Sequence, residues 1–211
     1  MISAVIRLAF LCLIVFGHLA RADVPTVLVM GDSLSAAYGM RVEQGWVALL
    51  QQRLASKGYG YRVVNASESG ETTGGALARL PRALVKHRPA VVIIELGGND
   101  GLRGLPIDGV RSNLESMVRQ SRESGARVLL VGMRIPPNYG PAYTKSFHEL
   151  FARVAASEHV PLVPFFLDGI ALDEGLMQDD GLHPNAAAQP KLLDQVWPRL
   201  TPQLKKRRTP A

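Results

Sequence analysis

Thr26-Val27-Leu28-Val29-Met30-Gly31-Asp32-Ser33-Leu34-Ser35 is an apolar run that stops at a glycine and turns abruptly into small polar residues. A short run without polar/apolar alternation, rich in β-branched side chains, is the pattern of a strand covered on both faces, as in a parallel sheet. The same pattern recurs at 61–65, 90–96, 127–132 and 162–166. Between these runs the apolar residues change period. Trp46, Leu49, Leu50 and Leu54, then Val110, Leu114, Met117 and Val118, then Phe147, Leu150, Phe151 and Val154 fall at three-to-four spacing, the stripe of a helix packed on one face. Gly58 and Gly125 are placed to stop two helices and Asn185 to cap the last. Strands alternating with helices predict an α/β fold. The expected form is a three-layer α/β/α sandwich on a five-stranded parallel, flavodoxin-like sheet, with ligands bound beyond the carboxyl ends of the strands.

The N-terminus reads differently. Arg7 precedes an apolar run over 8–16, and Ala20-Arg21-Ala22 follows as an A-x-A cleavage pattern. Residues 1–22 are therefore expected to be a signal peptide, too short in its apolar part to span a bilayer. This places the working protein in the periplasm or outside the cell. Cleavage would remove Cys12, the single cysteine, leaving no thiol and no disulfide. One domain is expected over 23–204, followed by a basic tail at 205–211. The net charge of +6 comes from that tail and the leader: Arg7, Arg21 and Lys205-Lys206-Arg207-Arg208 carry all of it. The body is neutral, which argues against nucleic acid as a partner and allows at most peripheral membrane contact; the tail is expected to be solvated. A monomer is expected.

Four short words fall where such a sheet would gather them. Ser33 follows the first strand, Ser69-Gly70 the second and Gly97-Gly98-Asn99-Asp100 the third, while Asp180-Gly181-Leu182-His183 precedes the last helix. The residue types suit acyl transfer. A serine hydroxyl is a weak nucleophile until a base takes its proton, and a histidine is the natural base. Asp180, three residues before His183, can fix the imidazole tautomer and stabilise the imidazolium. The oxyanion formed by attack needs preplaced donors, available from the amides of Ser33 and Gly70 and the side chain of Asn99. Asp100 is expected to anchor the loop carrying Asn99, and Asp179 to be structural. His87, His148 and His159 have neither cysteines nor a His-Glu-x-x-His spacing beside them, so no metal site is expected, and no cofactor. The glycines of 70–75 lack a following Lys-Ser/Thr and do not form a phosphate loop.

With these words in place, the chain resembles the SGNH or GDSL hydrolases, above all members that act as acyl-CoA thioesterases, lysophospholipases and arylesterases. The resemblance rests on Gly31-Asp32-Ser33-Leu34-Ser35, Asn65-Ala66-Ser67 with Ser69-Gly70, and Glu95 through Gly104. Pro136-Pro137-Asn138-Tyr139-Gly140 and Met177 through Asn185 complete it. It implies Ser33 as nucleophile, Gly70 and Asn99 as oxyanion donors with the Ser33 amide, and Asp180 and His183 as the rest of the triad. The implied substrates are acyl esters, thioesters or lysophospholipids, with Leu102, Ile135, Pro137 and Tyr139 as candidates to border an acyl chain. Glu71 and Glu68 depart from the usual pattern and predict a more acidic mouth beside Gly70. A carbohydrate O-acetylesterase on the same fold and a non-catalytic envelope lipid- or glycan-binding module are the alternatives. An α/β-hydrolase is disfavoured, because Ser35 stands where its Gly-x-Ser-x-Gly word needs a glycine.

Overall fold

The computed structural model describes residues 24–206; the expected leader and the last five residues of the tail lie outside the described residues. Five parallel strands form one sheet in the order β2-β1-β3-β4-β5. They are β1 (Thr26–Gly31), β2 (Arg62–Asn65), β3 (Val91–Glu95), β4 (Arg127–Val131) and β5 (Leu162–Val163). Register runs from Val27 opposite Val91 to Gly31 opposite Glu95, so β1 and β3 end level at their carboxyl ends. Every residue of β1 and β3 is buried, as continuous apolar runs demand when helices cover both faces.

Two strands differ from expectation. β2 lies at the sheet edge, and its four residues are only partly buried or exposed. β5 has two residues rather than five, because Pro164 has no amide to continue the ladder. Phe166 instead donates its amide to the Gly132 carbonyl across the break.

The helices are α1 (Trp46–Ser56), α2 (Thr73–His87), α3 (Gly98–Leu102), α4 (Ile107–Glu123), α5 (Pro141–Ser157) and α6 (Gln189–Leu200). α1 packs against α6 on one face, while α2, α4 and α5 pack in a row on the other. Gly58 and Gly125 lie just beyond the ends of α1 and α4 with φ of +74° and +89°, conformations that cost a side chain but not a glycine. Asn185 accepts from the Ala187 amide and opens the short turn that leads into α6. The apolar periodicity did not signal α2: Gly74, Gly75 and Pro81 interrupt it, and burial of Ala76, Leu80 and Leu84 holds the helix. The described start of the tail, Lys205 and Lys206, is exposed, and the chain is held just before it. Leu204 is buried, and the Lys205 amide donates to the Tyr61 hydroxyl.

Close approach fixes the sheet edge that carries the site. A Cβ added at Gly132 would lie 2.5 Å from the Pro164 carbonyl oxygen, a backbone atom that cannot rotate away. Gly132→Ala is therefore expected to destabilise the protein by about 1–3 kcal/mol, as overpacking does. A thermal melt checks this, and an unchanged Tm would show that the 164–166 segment moves freely.

Candidate active site

The strand order reverses direction between β1 and β3, and ligands of such sheets sit outside the strand ends at that point. Ser33 leaves β1 there and Asn99 leaves β3. The turn after β1 is held by Asp32: its backbone carbonyl accepts from the Ser35 and Ala36 amides, and its Oδ1 accepts from Leu34 N at 3.1 Å. Ser33 is thereby lifted, partly exposed, above a buried Asp32 and a buried Ser35.

Its hydroxyl oxygen lies 2.9 Å from His183 Nε2. On the far side of the ring, Nδ1 lies 2.6 Å from Asp180 Oδ2. An ionised carboxylate only accepts, so Nδ1 carries the proton and Nε2 is left to accept from Ser33. Asp180 Oδ1 also accepts from the amides of Leu182 and His183, each at 2.9 Å. Burial alone would raise the Asp180 carboxyl, but these bonds and the His183 ring together outweigh it and hold the carboxyl down at about 2. The pair therefore stabilises the fold at ordinary pH and loses its contribution as pH falls from the usual carboxylate range through about 2. The carboxylate is 39% exposed, so that contribution is small.

The loop bearing Asp180 and His183 is clasped at both ends. Met177 and Pro184 form an isolated antiparallel bridge, and Gln178 Nε2 donates to the Pro184 carbonyl and to the Tyr38 carbonyl. That second bond ties the loop to the turn bearing Ser33. Tyr38 also packs tilted against His183, ring centroids 4.5 Å apart, with half its surface exposed. Ala37, just before it, has φ of +60°, a strained value for alanine that aims Tyr38 at the imidazole.

The other residues expected to serve as oxyanion donors, Gly70 and Asn99, come from the segments after β2 and β3. Gly70 is exposed with φ of +79°, and its carbonyl accepts from Arg103 Nη2 at 3.0 Å. Asn99 sits in the first turn of α3, its Nδ2 donating to Asp32 Oδ2 at 3.1 Å. Asp100 anchors that turn as expected, accepting from Thr73 N at 2.9 Å and from the Thr73 hydroxyl at 2.6 Å. Among the acyl-border candidates, Ile135 is buried in the core, close over Gly101 with Phe147. Pro137 is exposed; Leu102 and Tyr139 are half-buried and joined by the Tyr139 hydroxyl donating to the Leu102 carbonyl. The acidity expected beside Gly70 is offset, because Arg79 pairs with both Glu68 and Glu71, at 2.9 and 2.8 Å.

Sequence reasoning did not single out Glu95 as an individual group. Its carboxyl is fully buried, accepts from the Ser35 hydroxyl and leaves Oε1 without a hydrogen-bond partner; Trp46 Nε1 donates to the same hydroxyl at 3.2 Å. Burial pushes Glu95 well above the ordinary range, the nearby Asp32 adding to it. A lone acid inside an apolar strand was the available signal, since such a group needs a buried partner. Among the described residues no three His, Cys, Asp or Glu side chains gather as a metal site.

A model of the GDSL-like Lipase/Acylhydrolase family matches residues 29–189 of this chain. The chain is 56% identical over 184 residues to Esterase TesA of Pseudomonas aeruginosa, covering 87% of this chain and 92% of the relative. It is 43% identical over 193 residues to Thioesterase 1/protease 1/lysophospholipase L1 of Escherichia coli, covering 92% and 90%. The crystal structure of the psychrotrophic esterase EstA from Pseudoalteromonas sp., inhibited by monoethylphosphonate, superposes with a TM-score of 0.81 at 44% identity. That match spans 84% of this chain and 97% of EstA.

Proposed function

Because the chain belongs to the GDSL-like lipase/acylhydrolase family and is an ester hydrolase, we propose that it cleaves ester and thioester bonds of acyl substrates through an acyl-enzyme on Ser33. The observation that carries this is the unbroken relay Ser33 Oγ, His183 Nε2, His183 Nδ1, Asp180 Oδ2 at 2.9 and 2.6 Å.

Ser33 Oγ attacks the acyl carbon while His183 Nε2 takes its proton, and Asp180 stabilises the imidazolium without itself being protonated. The carbonyl oxygen becomes an oxyanion, met by the amides of Ser33 and Gly70 and by Asn99 Nδ2. His183 then returns the proton to the departing alkoxide or thiolate, leaving the acyl group on Ser33. Water, deprotonated by the same imidazole, attacks the acyl-enzyme, and collapse of the second oxyanion releases the acid and restores Ser33. His183 serves the leaving group, so the alcohol or thiol departs on the Tyr38 side. Leu102, Pro137 and Tyr139 are the candidates to border the acyl chain, Leu102 and Tyr139 held together by the Tyr139 hydroxyl.

The substrates are small-molecule esters, and the relatives' names support aryl esters, acyl thioesters and lysophospholipids as classes to test. Export after cleavage of residues 1–22 is part of the same reading; among the described residues no helix is long and apolar enough to cross a membrane. A panel of aryl esters from acetate to palmitate, palmitoyl-CoA and lysophosphatidylcholine tests the proposal on purified protein. Turnover of aryl esters and at least one long-chain substrate is expected. Activity confined to acetylated carbohydrate would overturn it in favour of deacetylation. Each proton in the scheme has a side chain to carry it, so EDTA is expected to leave turnover unchanged. Loss with EDTA and recovery with zinc or calcium would refute the triad scheme.

A further inference from the structure

The nucleophile turn and the oxyanion side chain meet at one carboxylate. Asp32 Oδ1 accepts from Leu34 N, within the turn that presents Ser33, and Asp32 Oδ2 accepts from Asn99 Nδ2, from a residue 67 positions away. An asparagine side chain can present either its NH2 or its oxygen to a given point, and the two orientations differ little in shape. Only one of them helps an oxyanion. An acceptor fixed behind the amide selects it: one N–H is committed to Asp32, and the second N–H of the same nitrogen remains for the substrate oxygen. Were the amide turned over, its oxygen would face both Asp32 and the oxyanion. We infer that Asp32 is a positioning residue for catalysis, its carboxylate locking Asn99 in the donor orientation while it shapes the Ser33 turn.

The location is a costly one for a charge. Asp32 is almost wholly buried, and burial pushes its carboxyl up to about 6, partly offset by the Leu34 amide, His183 and Asn99. The groups facing it are His183, which favours its charge, and Asp100 and Glu95, which oppose it. A carboxyl raised above its unfolded value stabilises the fold most below the unfolded range and loses that stability as pH rises through about 6. At neutral pH the ionised Asp32 is thus held at the expense of the fold, the trade expected of a residue kept for activity.

The inference rests on Asn99 as an oxyanion donor, and a double-mutant cycle separates the two. Asn99→Ala is expected to lower kcat by about 10²–10³-fold with KM little changed. Asp32→Asn keeps the size but has one oxygen for two donors, so its NH2 faces either the Asn99 amide or Leu34 N. It is expected to lower kcat by about 10²-fold at neutral pH while leaving Tm unchanged or raised. In the double variant Asp32→Asn should add less than about threefold to the Asn99→Ala loss, because the amide it orients is gone. Asp32→Ser, whose hydroxyl can serve Leu34 N but does not reach Asn99, gives the same cycle should Asp32→Asn fail to fold. Wild-type kcat in Asn99→Ala would refute the oxyanion reading itself. A normal loss in Asn99→Ala with full additivity, or with Asp32→Asn showing a lowered Tm and wild-type kcat, would overturn the role of Asp32 alone.

Discussion

Ser33→Ala is expected to lower kcat by about 10⁶-fold in a chain that melts at the wild-type temperature. The substitution removes one partly exposed oxygen whose only described side-chain partner is His183, so nothing in the core depends on it. What it deletes is the atom that forms the covalent intermediate. Ester turnover and labelling by a serine-reactive phosphonate should vanish together, read by product release and by intact mass. Labelling that persisted on another serine, or a residual rate within a hundredfold of wild type, would remove Ser33 from its role.

His183→Ala should cost nearly as much, about 10⁶-fold in kcat, and the double variant with Ser33→Ala should be no worse than either alone. The two side chains act as one unit: without the base the hydroxyl keeps its proton, and without the hydroxyl the base has nothing to activate. Initial rates of aryl ester hydrolysis over the four-member set measure this. Losses that multiplied in the double variant would mean that serine and histidine contribute separately, and the relay at 2.9 Å would not be the path of the proton.

The sheet was readable because a strand covered on both faces leaves no room for polar residues, and 26–31 and 91–95 obey that rule along their whole length. β2 was over-read because an edge strand needs only one covered face, and β5 because proline ends pairing whatever the hydropathy around it. α2 left no periodic signature through Gly74, Gly75 and Pro81, yet burial of Thr73, Ala76, Leu80 and Leu84 holds it. At the site, Ser33, Asn99, Asp180 and His183 were legible because their chemistry is rare in combination at strand ends. Asp32 was not singled out, since an aspartate after a glycine reads as an ordinary turn former. Its partner in Asn99 is a product of the fold, with no local spacing to announce it. Tyr38 and Gln178 were missed for the same reason: they touch across 140 and more residues of chain.

The separation of Ser33 from His183 by 150 positions has a consequence for biosynthesis. A ribosome delivers β1 early, then the loops bearing Gly70 and Asn99, and the imidazole only when translation is nearly complete. On the roles proposed above, every nascent or prematurely terminated chain that stops short of residue 183 has Ser33, Gly70 and Asn99 without the imidazole. Such a chain can bury its first strands and still be unable to hydrolyse an acyl ester. On the proposed mechanism, hydrolytic activity therefore waits for the loop that carries His183.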